Sequence, residues 1–114
     1  MFSHMMVGTN NIARSKTFYD ATFKAMGGRA GIIDPKGRLV YMHNGGIFLV
    51  SLPIDGTPAT HGNGSTVGLS MTPERADAWH KAGVENGGTA IEDAPGERPG
   101  SGYYLAYLRD PDGN

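Results

Sequence analysis

Residues 4–28, HMMVGTNNIARSKTFYDATFKAMGG, and residues 64–88, GSTVGLSMTPERADAWHKAGVENGG, align without a gap at an offset of 60 positions. Val7 falls on Val67, Gly8 on Gly68 and Tyr19 on Trp79, and the closing pairs Gly27-Gly28 and Gly87-Gly88 coincide. Few residues are identical. The order of element types is nevertheless the same: a short apolar segment, a polar cap, helical spacing, then a glycine stop. Self-similarity at a fixed offset marks a repeated supersecondary unit.

The spacing predicts a first helix that starts at Asn10 or Asn11, either of which can cap exposed amides. Ile12, Tyr19, Phe23 and Met26 then recur on one face, and Gly27-Gly28 ends the helix. The second helix has a sharper entrance: Thr72 as cap, Pro73 at the first helical position and Glu74 favourable to the dipole. Ala76, Trp79 and Gly83 form its inner stripe, and the aromatic residues on both helices read as core.

Strand signals follow each helix. RAGIID (29–34) leads through PKG into RLVYMH (38–43), which turns at NGG into IFLVSLP (47–53). In the second copy GTAIEDA (88–94), the loop PGERPGSG (95–102) and YYLAYLR (103–109) repeat that order. The fold class read from this is α+β: two tandem βαβββ modules whose curved mixed sheets surround a cavity. One domain, 1–114, divides into module 1 (1–54), a linker (55–63) and module 2 (64–114). The closing DPDGN is turn chemistry that delivers a chain into a further strand, so the second module lacks its last strand. About six to eight extended residues would complete it. The expectation is a slightly longer protein, or a neighbouring chain that covers an otherwise aggregation-prone edge.

Composition narrows the function. With 10 basic and 11 acidic side chains the net charge is −1, which offers no electrostatic footprint for nucleic acid or an anionic membrane. The absence of cysteine removes disulfides, thiolate metal sites and a cysteine nucleophile. The longest apolar run, IFLV, is far short of the roughly 20 residues a membrane helix needs. No basic, then apolar, leader opens the chain. A cytoplasmic location is expected. DPDGN fails as a calcium loop because its glycine is fourth instead of sixth, and neither a P-loop nor a dinucleotide fingerprint is present. No serine sits on a recognisable nucleophile elbow.

Three stretches, SHMMVGTNNIARSKTFYDATF, NGSTVGLSMTPERADAWH and YLAYLRDPDGN, resemble the vicinal oxygen chelate superfamily of glyoxalase I, bleomycin-resistance proteins and extradiol dioxygenases. The resemblance spans essentially the whole chain. It implies paired modules around a small-molecule cavity, and commonly a homodimer. In metal-using members each module supplies one ligand from its first strand and one carboxylate from its last. The cation then grips two adjacent substrate oxygens as a Lewis acid.

His4 matches the first-strand ligand position. Its counterpart in the second copy is Gly64, which cannot ligate, and GIFLVSLP (46–53) contains no carboxylate. His61, just before Gly64, is the only other candidate ligand; His43 and His80 read as surface residues. Strand alternation groups His4 with Met6, and Gly64, Thr66 and Gly68 together on the cavity side. The candidate ligand-binding residues are His4, Met6, Tyr41, Phe48, Thr66, Tyr104 and Tyr107. The reading is therefore a small-molecule binder without an intact four-ligand metal site and with no cofactor. The alternative is a glyoxalase-like lyase or dioxygenase with a degenerate site, for which the resemblance implies zinc, nickel, iron or manganese. A third possibility is a subunit with a vestigial cavity whose role is dimer formation. The expected partners are an unidentified small molecule and a second copy of the chain, with no nucleic acid and no membrane.

Overall fold

The computed structural model describes all 114 residues. Its first half holds β1 (His4–Gly8), α1 (Ile12–Ala25), β2 (Ile32–Ile33), β3 (Leu39–His43) and β4 (Gly46–Ser51). These strands form one mixed sheet in the order β1-β4-β3-β2, with β1 parallel to β4 and the other pairs antiparallel. The turn between β3 and β4 is an Asn-Gly turn. Asn44 and Gly45 both take positive φ, the geometry that matches the twist of a two-residue hairpin.

Local chemistry explains α1. The Asn11 side chain accepts the Arg14 N–H and so caps the first turn. At the other end Gly27, with φ of 94°, donates to the Lys24 carbonyl while Gly28 donates to that of Phe23. That paired closure satisfies carbonyls which would otherwise be orphaned. The inner face of α1 carries Phe18, Tyr19, Phe23 and Met26 onto Leu39, Tyr41, Phe48 and Val50 of the sheet, a single buried cluster. Phe23 stacks on Tyr41 with ring centres 4.5 Å apart. The Tyr41 hydroxyl donates to Asp20, which also accepts the Gly31 N–H.

The second half holds α2 (Pro73–Glu85), β5 (Thr89–Ala90), β6 (Gly96–Glu97), β7 (Tyr104–Leu105) and β8 (Leu108–Arg109). Thr72 caps α2 as its sequence predicts, accepting the Arg75 N–H, and Pro73 occupies the first turn. No helix is long and apolar enough to cross a membrane.

Two strand expectations are corrected here. Residues 64–70, the counterpart of β1, are exposed except for Leu69 and form no strand. β1 pairs with β4, whereas residues 64–70 pair with no strand. YYLAYLR is not one strand either. β5 pairs with β8 and β6 with β7, so the five residues 91–95 oppose only the two residues 106–107. This bulge, with Glu92 at a φ of 58°, breaks the hairpin into two short ladders and draws part of the expected PGERPGSG loop into β6.

The halves meet helix to helix and through the closing turn. DPDGN does form a turn, and its side chains bind the start of α1. Asp112 accepts the Thr9 hydroxyl at 2.6 Å, the Asn10 N–H at 2.9 Å and the Arg14 guanidinium at 2.7 Å. Asp110, buried, accepts the Tyr19 hydroxyl at 2.7 Å, and Asn114 donates to the Gly8 carbonyl. Burial and the neighbouring Asp110 carboxylate push the Tyr19 hydroxyl far above its ordinary range, so it remains a donor.

Candidate functional site

Register assigns each strand residue to a face. Met5, Phe48 and Tyr41 lie in one row toward α1, as do Val7, Val50 and Leu39. The alternate rows, His4–Ile47–Met42 and Met6–Leu49–Val40–Ile32, form the opposite face of the sheet. That face is open: Met42 is 66% exposed, Ile32 60% and Met6 56%. His4 is the one polar side chain in these two rows.

A groove of about 390 Å³ lies at one end of the same sheet. Its floor is the α1 side of the core, Met5, Phe23, Met26, Tyr41 and Phe48, and its far wall is the extended segment Val67–Ser70. Phe2, Ser3, His4, His43, Asn44, Gly46 and Ile47 complete the lining. Register explains why these polar residues gather. His4 is level with Ile47 and His43 with Gly46, so the N-terminal end of β1 and the β3–β4 turn share one edge. The C-terminal end of α1 reaches the same edge. A Cβ on Gly28 would stand 3.3 Å from the His43 Nδ1, and the His43 ring lies edge-on to Phe23 at 6.4 Å.

The structure divides the residues expected to line a cavity. His4, Tyr41 and Phe48 line the groove, His4 where it meets the open face. Tyr41 and Phe48 supply the buried floor, since the parity of β3 and β4 turns them toward α1 and not toward Met6. Met6 is on the open face, and Thr66 is exposed outside the groove. The Tyr104 hydroxyl donates to Asp77 on α2 at 2.6 Å, a bond that pushes its pKa up and keeps it protonated; Tyr104 therefore lies on the helix side. Tyr107 lies between β7 and β8 and is not among the groove-lining residues. His43 and Asn44 belong to the groove although His43 reads as a surface residue in sequence. The signal for them was the parallel pairing of β1 with β4, which a sequence does not print.

The donors required of a four-ligand His and carboxylate centre are not brought together. The row neighbours of His4 are Ile47 and Met42, neither of which offers nitrogen or oxygen from its side chain. His61 lies at the other end of β1, its ring against Gly113 of the closing turn. No three His, Cys, Asp or Glu side chains converge anywhere in the chain. The residues present do not fit such a metal.

The family model described as Glyoxalase/Bleomycin resistance protein/Dioxygenase superfamily matches residues 1–114. Among solved structures, a glyoxalase/bleomycin resistance protein from Albidiferax ferrireducens T118 is 51% identical, with a TM-score of 0.93. The match covers 100% of this chain and 94% of that one. A glyoxalase-related enzyme from Fulvimarina pelagi is 21% identical, covers 99% and 82% of the two chains, and has a TM-score of 0.71. The hypothetical protein SA1046 from S. aureus shares the fold at 17% identity and a TM-score of 0.68, covering 99% and 87%. No curated protein matches the sequence.

Proposed function

We propose that this chain, which belongs to the glyoxalase/bleomycin resistance protein/dioxygenase superfamily, binds a small molecule without a metal, in the manner of drug-sequestering members. The observation that carries this reading is the groove: a concave, largely apolar site with an aromatic floor and a few polar groups at one edge. Its volume lies in the range of ligand pockets, roughly 300–1,000 Å³. The donor arithmetic favours the same side. His4 has neither a carboxylate nor a second imidazole within its row, and the groove adds only His43, so three donors do not converge to fix a divalent ion at an open catalytic position.

The test is metal analysis of protein purified without chelator, alongside His4→Ala. The reading expects well under one metal per chain in both, and ligand retention that EDTA leaves unchanged. One equivalent of zinc, nickel, iron or manganese, lost in His4→Ala, would sink it and restore the lyase or dioxygenase reading.

The modules proposed are residues 1–54 and 64–114, and the working state proposed is a cytoplasmic homodimer. The open sheet face supports the dimer, because Met6, Ile32, Met42 and Ile47 together form an apolar patch that water solvates poorly. Met42→Glu places a charge at its centre. Sedimentation is expected to show a dimer for the wild type and a monomer for this variant; a monomeric wild type removes the dimer.

A further inference from the structure

We propose that the groove takes a planar aromatic molecule carrying an anionic group, a carboxylate, sulfonate or phosphate. The ring would lie over the Phe23–Tyr41–Phe48 floor and the anion at the His43–Asn44 edge. This deepens the binding reading and rests on it. Three features of the groove select that chemistry.

The first is the charge of the lining. No Asp or Glu contributes to it, although the chain carries 11 acidic residues. The polar side chains that do contribute are Ser3, His4, His43, Asn44 and Ser70, all able to donate hydrogen bonds. An acidic ligand group therefore meets donors and no like charge.

The second is placement. Ser3, His4, His43 and Asn44 share one edge of the sheet with Phe2 and Ile47, while Phe23, Tyr41 and Phe48 lie inward of it. The ligand that matches has one polar end and one apolar end, not polar groups scattered around a ring.

The third is a cation outside the lining, against the C-terminal end of α1 that reaches that edge. The Arg75 guanidinium covers Gly27, where a Cβ would stand 2.9 Å from its central carbon, one peptide from the glycine that touches His43. None of the four ion pairs in the chain includes Arg75. Arg75 also answers the main objection to an anion here, the partial negative charge at the C-terminal end of α1. The Thr22, Phe23 and Lys24 carbonyls at that end already accept the N–H groups of Met26, Gly28 and Gly27.

Two fluorescent probes with the same ring system test the proposal: anionic 8-anilinonaphthalene-1-sulfonate and neutral N-phenyl-1-naphthylamine. Both are titrated into the full chain at neutral pH in EDTA, with the variants Val67→Trp, Arg75→Gln and Met42→Gln. Val67 forms the far wall and is partly exposed, so tryptophan there fills the groove without entering the core. Met42→Gln reports binding to the open sheet face instead. The expected result is at least tenfold tighter binding of the sulfonate. Val67→Trp weakens both probes at least tenfold, Arg75→Gln weakens the sulfonate alone about fivefold, and Met42→Gln changes neither. Equal affinities, with both probes blocked by Val67→Trp, would overturn the anionic assignment and leave the groove as a binding site. Failure of both probes to bind, or binding that Val67→Trp leaves intact, would overturn the groove reading as well.

Discussion

Replacing Gly83 with leucine is expected to lower stability by about 3 kcal/mol, or the melting temperature by roughly 12 °C. Gly83 sits in the last turn of α2, where a glycine is still disfavoured relative to alanine, and packing accounts for it. The helices cross there. A Cβ on Gly83 would collide with Leu108 from β8 and stand 3.2 Å from Phe18 and 3.3 Å from Thr22 of α1. Gly88 is equally tight, 2.5 Å from Phe18 by the same construction. Leucine must displace Phe18, which belongs to the central cluster, or push α2 off α1. Gly83→Ala is the informative control: its propensity gain and its milder clash oppose each other, so its stability should lie close to that of the wild type. Thermal unfolding of the two variants reads both effects. If leucine is tolerated as well as alanine, the helices do not cross at this residue.

Asp112→Ala is expected to cost about 3 kcal/mol, because it strips acceptors from several donors at once. The side chain is only 4% exposed, yet the residue lies in the last four of the chain. Its carboxylate serves as a remote cap for α1, where an anion is favoured by the helix dipole. Burial works to raise the Asp112 carboxyl, but the Thr9 hydroxyl, the Asn10 N–H, Arg14 and Ser15 together hold it below the usual carboxylate range. A group whose folded value lies below its unfolded value of about 3.9 stabilises fully above the latter. That contribution fades as pH falls through the folded value. Asp20, lowered by Lys16, Gly31 and Tyr41 against its own burial, acts in the same direction. Urea unfolding at neutral pH and near pH 3 should show wild-type stability falling with acid, and a flatter profile for Asp112→Ala. Equal slopes would mean that the closing turn is not bound to α1 as described.

The sequence carried α1 and α2 in full because their signals are local: Asn11 and Thr72 as caps, paired glycines as stops. The first-half sheet was equally legible, since NGG and PKG fix two hairpins. Residues 64–70 were not, because a strand exists only with a partner and alternation of side chains cannot supply one. The bulge opposite 106–107 was hidden for a related reason, as register between short strands is set by tertiary contacts. The site shows the same division. His4 and Met6 were assignable to one face from β1 alone, whereas Tyr41 and Phe48 needed the pairing of β3 with β4 to separate them from it. His43 reached the groove through the parallel β1–β4 contact, which joins residues 43 positions apart in the chain.

The central claim is that a metal-free groove on the α1 side of the sheet holds the ligand. Chemical-shift mapping of isotope-labelled, EDTA-treated protein titrated with 8-anilinonaphthalene-1-sulfonate tests it most directly. The account predicts saturable shifts at Met5, His43, Val67 and Leu69, with Val40 and Leu49 on the open face unmoved. Shifts confined to the open-face rows, or binding that appears only after a divalent metal is added, would contradict it.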